Sequence, residues 1–236
     1  MKITYLLNSG FIVKLNRSLL VFDDFNDPSH SVDEEIEKGD FDNLYFFASH
    51  AHFDHFDPHI LKYQESVTRY IFSNDIRRTV RAKAFPAEKV SYLKKYDAYS
   101  DENIEVTSYD STDVGTSFAV ETEGKRIFHA GDFNWWDWDG EEAKLRKSAK
   151  LAFFRQMEKL EGLTFDVVFF PVDGRLENSA EKGAKEFLRL TDTKALIAMH
   201  RVGYPKWEPK DEFFVKEKIF TWSPIEAGES VELEEG

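Results

Sequence analysis

The chain has 236 residues, no cysteine, and 44 acidic against 31 basic side chains, for a net charge of −13. Without thiols there are no disulfides and no thiolate ligands, so any metal centre must use nitrogen and oxygen donors. An acidic chain repels phosphate backbones unless it carries a basic stripe, so nucleic acid is not expected as a partner. No long apolar span or signal-peptide pattern is present, which sets the expectation of a cytoplasmic protein with no membrane partner.

In chain order, residues 3–7, 11–15 and 19–22 read as strands, separated by turn chemistry at Asn8-Ser9-Gly10 and Asn16-Arg17. Residues 26–43 are polar and acidic and read as a loop with a short helical piece. The apolar run 44–48 reads as a buried strand. Asp57-Pro58 has the chemistry of a helix start, and the pattern predicts helices over 58–65, 74–84 and 86–96. In the second of these, Arg77, Arg78, Arg81 and Lys83 read as a solvated helix face. Strands are expected at 104–108, 117–122 and 126–130. A helix is expected over 141–161, where Leu145, Ala149, Ala152, Phe153 and Leu160 form one stripe. Buried strands at 166–171 and 195–199 flank a helix that opens at the Asn178/Glu181 capping pattern. The tail 225–233 reads as a turn and an edge strand. No linker or short repeat interrupts the chain, so residues 1–236 are read as one domain with a mixed α/β layout of two sheets and outer helices.

The chemistry concentrates after the strand 44–48. Residues 49–55 read Ser-His-Ala-His-Phe-Asp-His, which sets His50, His52, Asp54 and His55 within six residues. Imidazole and carboxylate suit zinc, iron and manganese. Alternate side chains of an extended segment share a side, so His50, His52 and Asp54 project one way and His55 another. That arrangement suits two adjacent metals better than one tetrahedral site. Two later strands also end in donors: 126–130 leads through Gly131 to Asp132, and 195–199 leads to His200.

His50-Ala51-His52-Phe53-Asp54-His55, Gly131-Asp132 and His200 together resemble the H-x-H-x-D-H signature, bridging aspartate and last histidine of the metallo-β-lactamase-fold hydrolase superfamily. The strand-turn-strand start, with Phe22-Asp23-Asp24, is similar as well. Ile127-Phe128-His129-Ala130-Gly131-Asp132 resembles the branch that includes ascorbate-6-phosphate lactonase-like proteins. The resemblance implies an αββα sandwich of two mixed sheets. It also implies one or two divalent ions, zinc first and manganese or iron as alternatives. His50 and His52 would hold the first ion and Asp54, His55 and His200 the second, with Asp132 bridging. The implied activity is hydrolysis of an ester, lactone or phosphodiester bond in a small molecule, with anionic ones included. In it a metal-bound hydroxide attacks while Asp132 and Asp54 act as catalytic carboxylates. A metal-binding protein of weak activity that senses a ligand is the alternative, and a nuclease is disfavoured by charge.

One element of the family pattern is missing. The family places a histidine between the first motif and the bridging aspartate, and residues 106–115 contain none. Asp110 is the nearest candidate substitute and Asp113 the next, although turn chemistry accounts for both equally well. His129 is out of phase with Asp132 and is expected behind the ligands. Arg201, Arg175, Tyr204 and Trp136 follow the ligand strands and are candidates for substrate contact. Oligomeric state is not legible. Because the first ion lacks its imidazole, the second site is expected to fill first. Calorimetric metal titration should resolve two unequal affinities, and equal ones would refute the expectation.

Overall fold

A computed structural model describes residues 1–234. Seven strands form the first sheet: β1 (Lys2–Leu7), β2 (Gly10–Lys14), β3 (Ser18–Phe22), β4 (Asn43–Ala48), β5 (Arg69–Ser73), β6 (Val90–Leu93) and β16 (Ser230–Glu232). Their spatial order is β16-β1-β2-β3-β4-β5-β6. The second sheet comprises β7 (Ala98–Ser100), β8 (Glu105–Asp110), β9 (Thr116–Thr122), β10 (Lys125–His129), β12 (Val167–Pro171), β14 (Ala195–Met199) and β15 (Phe220–Trp222). Its order is β15-β14-β12-β10-β9-β8-β7. The short strands β11 (Thr164–Phe165) and β13 (Asp192–Thr193) pair separately. The helices are α1 (Ser31–Lys38), α2 (Ala143–Leu160), α3 (Lys182–Leu190) and α4 (Glu212–Lys216).

Strands β3, β4, β12 and β14 are buried along their whole length. Each is a continuous apolar run rather than an alternating one, as expected where both faces of a parallel pair are covered. The sheets meet through large rings: Phe11 and Phe169 lie 4.7 Å apart between centroids, and Phe47 and Phe118 lie 5.6 Å apart. On the outer side of the first sheet, Phe46, Tyr70 and Phe72 pack with Phe56, Phe85 and Val32 of α1. Outside the second sheet, Phe187 of α3 covers Phe128 and Phe170. The layers are therefore helix, sheet, sheet, helix, which is the expected αββα sandwich.

Pairing directions decide where the site forms. β3 is parallel to β4, β10 to β12 and β12 to β14. The residues after β4, β10, β12 and β14 accordingly gather at one edge of the sandwich, the usual position for ligands in open α/β sheets.

Several segments differ from the sequence reading: Pro58–Tyr63 forms a 3-10 helix, and the Asn178/Glu181 capping pattern is not made, because α3 begins at Lys182 without a side-chain cap. Residues 86–96 form a short 3-10 turn and then β6, which extends the first sheet beside β5. Their local pattern suits a helix, but long-range pairing with β5 overrides it. Residues 74–84 are two short 3-10 turns rather than one helix. The strands β5, β7 and β15 have no counterpart among the expected elements. No helix among the described residues is long and apolar enough to cross a membrane.

Two glycines let the ligand loop lie flat on its neighbours. Gly115 and Gly131 both have positive φ, and added Cβ atoms would meet Ser49 O at 2.1 Å and Ser49 Cβ at 2.7 Å respectively. The Thr116 N–H donates to Ser49 O at 2.9 Å across the first of these contacts. Substituting Gly131→Ala should therefore displace residues 49–50 and lower Tm by several degrees, consistent with a strained-backbone cost of about 1–3 kcal/mol. An unchanged melting curve would show that the close approach is not required.

Candidate metal centre

The site is built around imidazoles whose rear nitrogens are already committed. His55 donates from Nδ1 to Asp23 Oδ2 at 2.7 Å. His200 donates from Nδ1 to Asp173 Oδ2 at 3.0 Å. Ser49 gives its hydroxyl proton to Asp23 at 2.7 Å, so its oxygen accepts from His50 Nδ1 at 3.0 Å. Each of the three rings consequently turns Nε2 into the site, the atom open to a metal once it carries no proton, and this is the arrangement that orients metal-binding histidines. All three Nε2 atoms face one carboxylate: Asp132 lies 3.5 Å from His50, 3.3 Å from His55 and 3.5 Å from His200.

The remaining donors complete two halves. His52 Nδ1 lies 2.9 Å from His50 Nε2. His52, Asp113 and Asp132 each offer an atom within 4.8 Å of the others, and so do Asp54, His55 and His200. Asp54 is steadied by Asn8, whose Nδ2 donates to Oδ2 at 3.1 Å. Asn8 belongs to the turn between β1 and β2, and its carbonyl also accepts from the His200 N–H at 3.1 Å. His200 itself has φ 62°, a left-handed conformation rare for a residue with a Cβ.

Residues 51–56 are fixed from outside as well. Arg81 donates to the carbonyls of Ala51 and Phe56 and lies over the Phe56 ring. Asp75 accepts from the Ala51 N–H at 2.8 Å. Arg81 is thus a clamp on the ligand loop and not part of a solvated face. The sequence offered no signal for this, because a guanidinium that caps carbonyls has the same local pattern as one in water.

The electrostatics mark a site that accommodates positive charge. His55 is buried, which opposes protonation, but Asp132 and Asp23 outweigh the burial and push its pKa up to about 9. Burial together with the neighbouring His55 drives His50 down to about 2. Asp23 is buried too, yet His129 and His55 hold it at about 2. Burial raises Asp132. His55 Nε2 and Asp132 Oδ1 are both buried without a hydrogen-bond partner. Unpartnered buried polar atoms are costly, and here they converge with nitrogen and oxygen donors that fit a divalent ion.

The expected residues divide as follows. His50, His52, Asp54, His55, Asp132 and His200 converge, and Asp113 joins them beside His52. Asp110 does not: it lies 3.2 Å from Lys95 Nζ and accepts from Gln156 Nε2, facing away from the cluster. At the end of β8 its side chain points outward, and only the following loop turns back toward the ligands. Arg201 also stays outside, with its guanidinium donating to the Val172 and Pro205 carbonyls. Arg175, Tyr204 and Trp136 line the cleft over the centre. His129 is buried behind it, donating from Nε2 to Ser9 O at 2.8 Å and stacking on Phe22. Asp173, just past β12, is the residue that orients His200.

No protein-family model and no curated protein matches this sequence. Solved structures do share its fold. The metallo hydrolase Igni18 from the hyperthermophilic archaeon Ignicoccus hospitalis KIN4/I is 18% identical, with 100% of this chain and 99% of that one covered and a TM-score of 0.65. The metallo-β-lactamase fold protein YhfI from Bacillus subtilis is 12% identical, covering 98% and 99%, with a TM-score of 0.58. CmlA, a diiron β-hydroxylase from Streptomyces venezuelae, is 11% identical over 98% of this chain and 54% of its own, with a TM-score of 0.59. The chain has the metallo-β-lactamase fold, and at these identities the likeness extends to the fold alone.

The raised pKa of His55 has a measurable consequence. In the metal-free protein its proton stabilises the fold fully below the ordinary value of 6.5, and that stability is lost as pH rises through about 9. A divalent ion must displace this proton. Metal binding near neutral pH should release about one proton, read as a dependence of calorimetric heat on buffer ionisation enthalpy. Apparent affinity should climb with pH and level off near 9. A heat independent of the buffer would refute the assignment.

Proposed function

We propose that this protein is a metal-dependent hydrolase of a small molecule. The observation that carries the proposal is the convergence of three proton-locked imidazoles on the buried carboxylate of Asp132. In this reading His50, His52, Asp113 and Asp132 hold one divalent ion, and Asp54, His55, His200 and Asp132 hold a second. Two such ions, when bound, would supply an acidified water and a Lewis acid for the oxygen that gains charge. Asp132 faces both halves and fixes their separation. Asp54, held by Asn8 and partly open to the cleft, takes the proton from the attacking water and returns it to the leaving oxygen. The scissile bond is that of an ester, lactone or phosphodiester. The resemblance of residues 127–132 to the ascorbate-6-phosphate lactonase-like branch makes a lactone the first substrate to assay.

Asp113 supplies a hard oxygen where an imidazole is usual, which moves the first site toward manganese or iron, while the second keeps a set suited to zinc. The alternative, a protein that holds metal and ligand without turnover, is favoured by the exposure of His52 and Asp113, which leaves the first ion weakly held.

Metal analysis of Asp113→Ala should show one ion lost, or its affinity reduced roughly 10–100-fold, with the second retained. Asp113→His should restore the ion with a preference for zinc. Hydrolysis of a lactone, ester and phosphodiester panel should disappear in Asp132→Asn. Stoichiometric metal with no turnover of any panel member would favour the alternative.

A further inference from the structure

The cleft over the metal centre has a volume of about 780 Å³, within the range of small-molecule sites. One wall is a continuous run of flat groups leading away from the ligands. The ring of Trp136 stands edge-on to His200 at 5.9 Å between centroids. Trp138 stacks on Trp136 at 5.9 Å with only 8° between planes. The guanidinium of Arg175 covers Trp138 at 5.5 Å from the ring centre. The wall is rigid for identifiable reasons. Trp136 Nε1 donates to the Asp132 carbonyl at 3.0 Å. Arg175 Nε donates to Asp173 at 2.8 Å, and Asp173 is the carboxylate that orients His200.

Two further rings define the opening. Phe53 lies between two ligand residues, lines the cleft and is 80% exposed. A large ring held in water at the mouth of a cleft has no packing role, since it covers no core. Tyr204 lies against bare backbone at Gly174, where an added Cβ would stand 2.3 Å from its ring. The charge pattern is equally specific. Arg175 is the only Lys or Arg among the cleft-lining residues, and its Nη1 has no acceptor among the described residues. A single free cationic edge at the far end of the wall from the metal-facing residues suits one negative charge there.

From this geometry we infer the substrate class: an ester or lactone whose flat, apolar or aromatic body lies between Phe53 and the Trp136–Trp138 wall, with one anionic group reaching Arg175. The inference rests on the hydrolase reading for the reaction but not for the binding. Aromatic stacking and cation–π contact each change affinity on the order of tenfold, which sets the scale of the expected effects.

The test uses the metal-loaded full chain and two probes, 2-naphthalenesulfonate and the neutral 2-naphthylmethanol, with binding followed by tryptophan fluorescence and calorimetry. Both should bind, the sulfonate more tightly. Trp138→Ala should weaken both about tenfold, and Trp138→Phe should recover part of that loss, which separates lost stacking from misfolding. Arg175→Gln should weaken the sulfonate about tenfold more than it weakens the alcohol. Absence of binding, or affinities indifferent to Trp138 and Arg175, would overturn the inference. The expected binding pattern in a protein that hydrolyses nothing would instead refute the hydrolase reading and leave the ligand class standing. Ester hydrolysis with KM insensitive to Trp138 would do the reverse.

Discussion

The whole site depends on one buried carboxylate. Asp23, at the end of β3, accepts from the Ser49 N–H and the Ser49 hydroxyl, both at 2.7 Å, and from His55 at 2.7 Å. These three bonds fix the path of the chain as it leaves β4, set the tautomer of His55 directly and set that of His50 through the serine oxygen. His129 lies behind it, 4.0 Å away. A carboxylate this deeply buried is retained as an anion only because donors surround it. Its stability as an anion and the orientation of the ligands are the same physical fact.

Asp173 does for the other half what Asp23 does for the first. It holds His200 on one side and Arg175 on the other. The arginine that ends the aromatic wall is thereby linked to a metal-facing imidazole through a single carboxylate.

The fold supplies the edge at which these residues meet and leaves the chemistry to them. Structures of the same fold include a metallo hydrolase and a diiron β-hydroxylase, so the architecture alone selects no reaction. What gives this chain's site its character is local: Asp113 beside His52, Arg81 bracing residues 51–56, and a cleft with aromatic walls and one cation.

Much of this was legible in the sequence. A dense cluster of histidines after an apolar strand, with Asp132 and His200 at later strand ends, marked the candidate donors, and its resemblance to a known family signature implied the αββα fold and the joining of those donors in one site. These are local patterns, because strand period and strand-end position are set by neighbouring residues. The tertiary structure decided what depends on distant partners. Asp110 and Asp113 can both be read as turn carboxylates, but β8 carries the first outward to Lys95, while contact of Gly115 with Ser49 accompanies the inward turn of the second. Arg201 and Arg175 both follow buried strands, and only the acceptors they meet, the Val172 and Pro205 carbonyls for Arg201 and the Asp173 carboxylate for Arg175, distinguish a structural guanidinium from one that faces the cleft. Residues 86–96 suit a helix by themselves and became β6 because β5 offered an unpaired edge. Composition and spacing therefore determined which chemistry is available, and long-range packing determined which side chains take part.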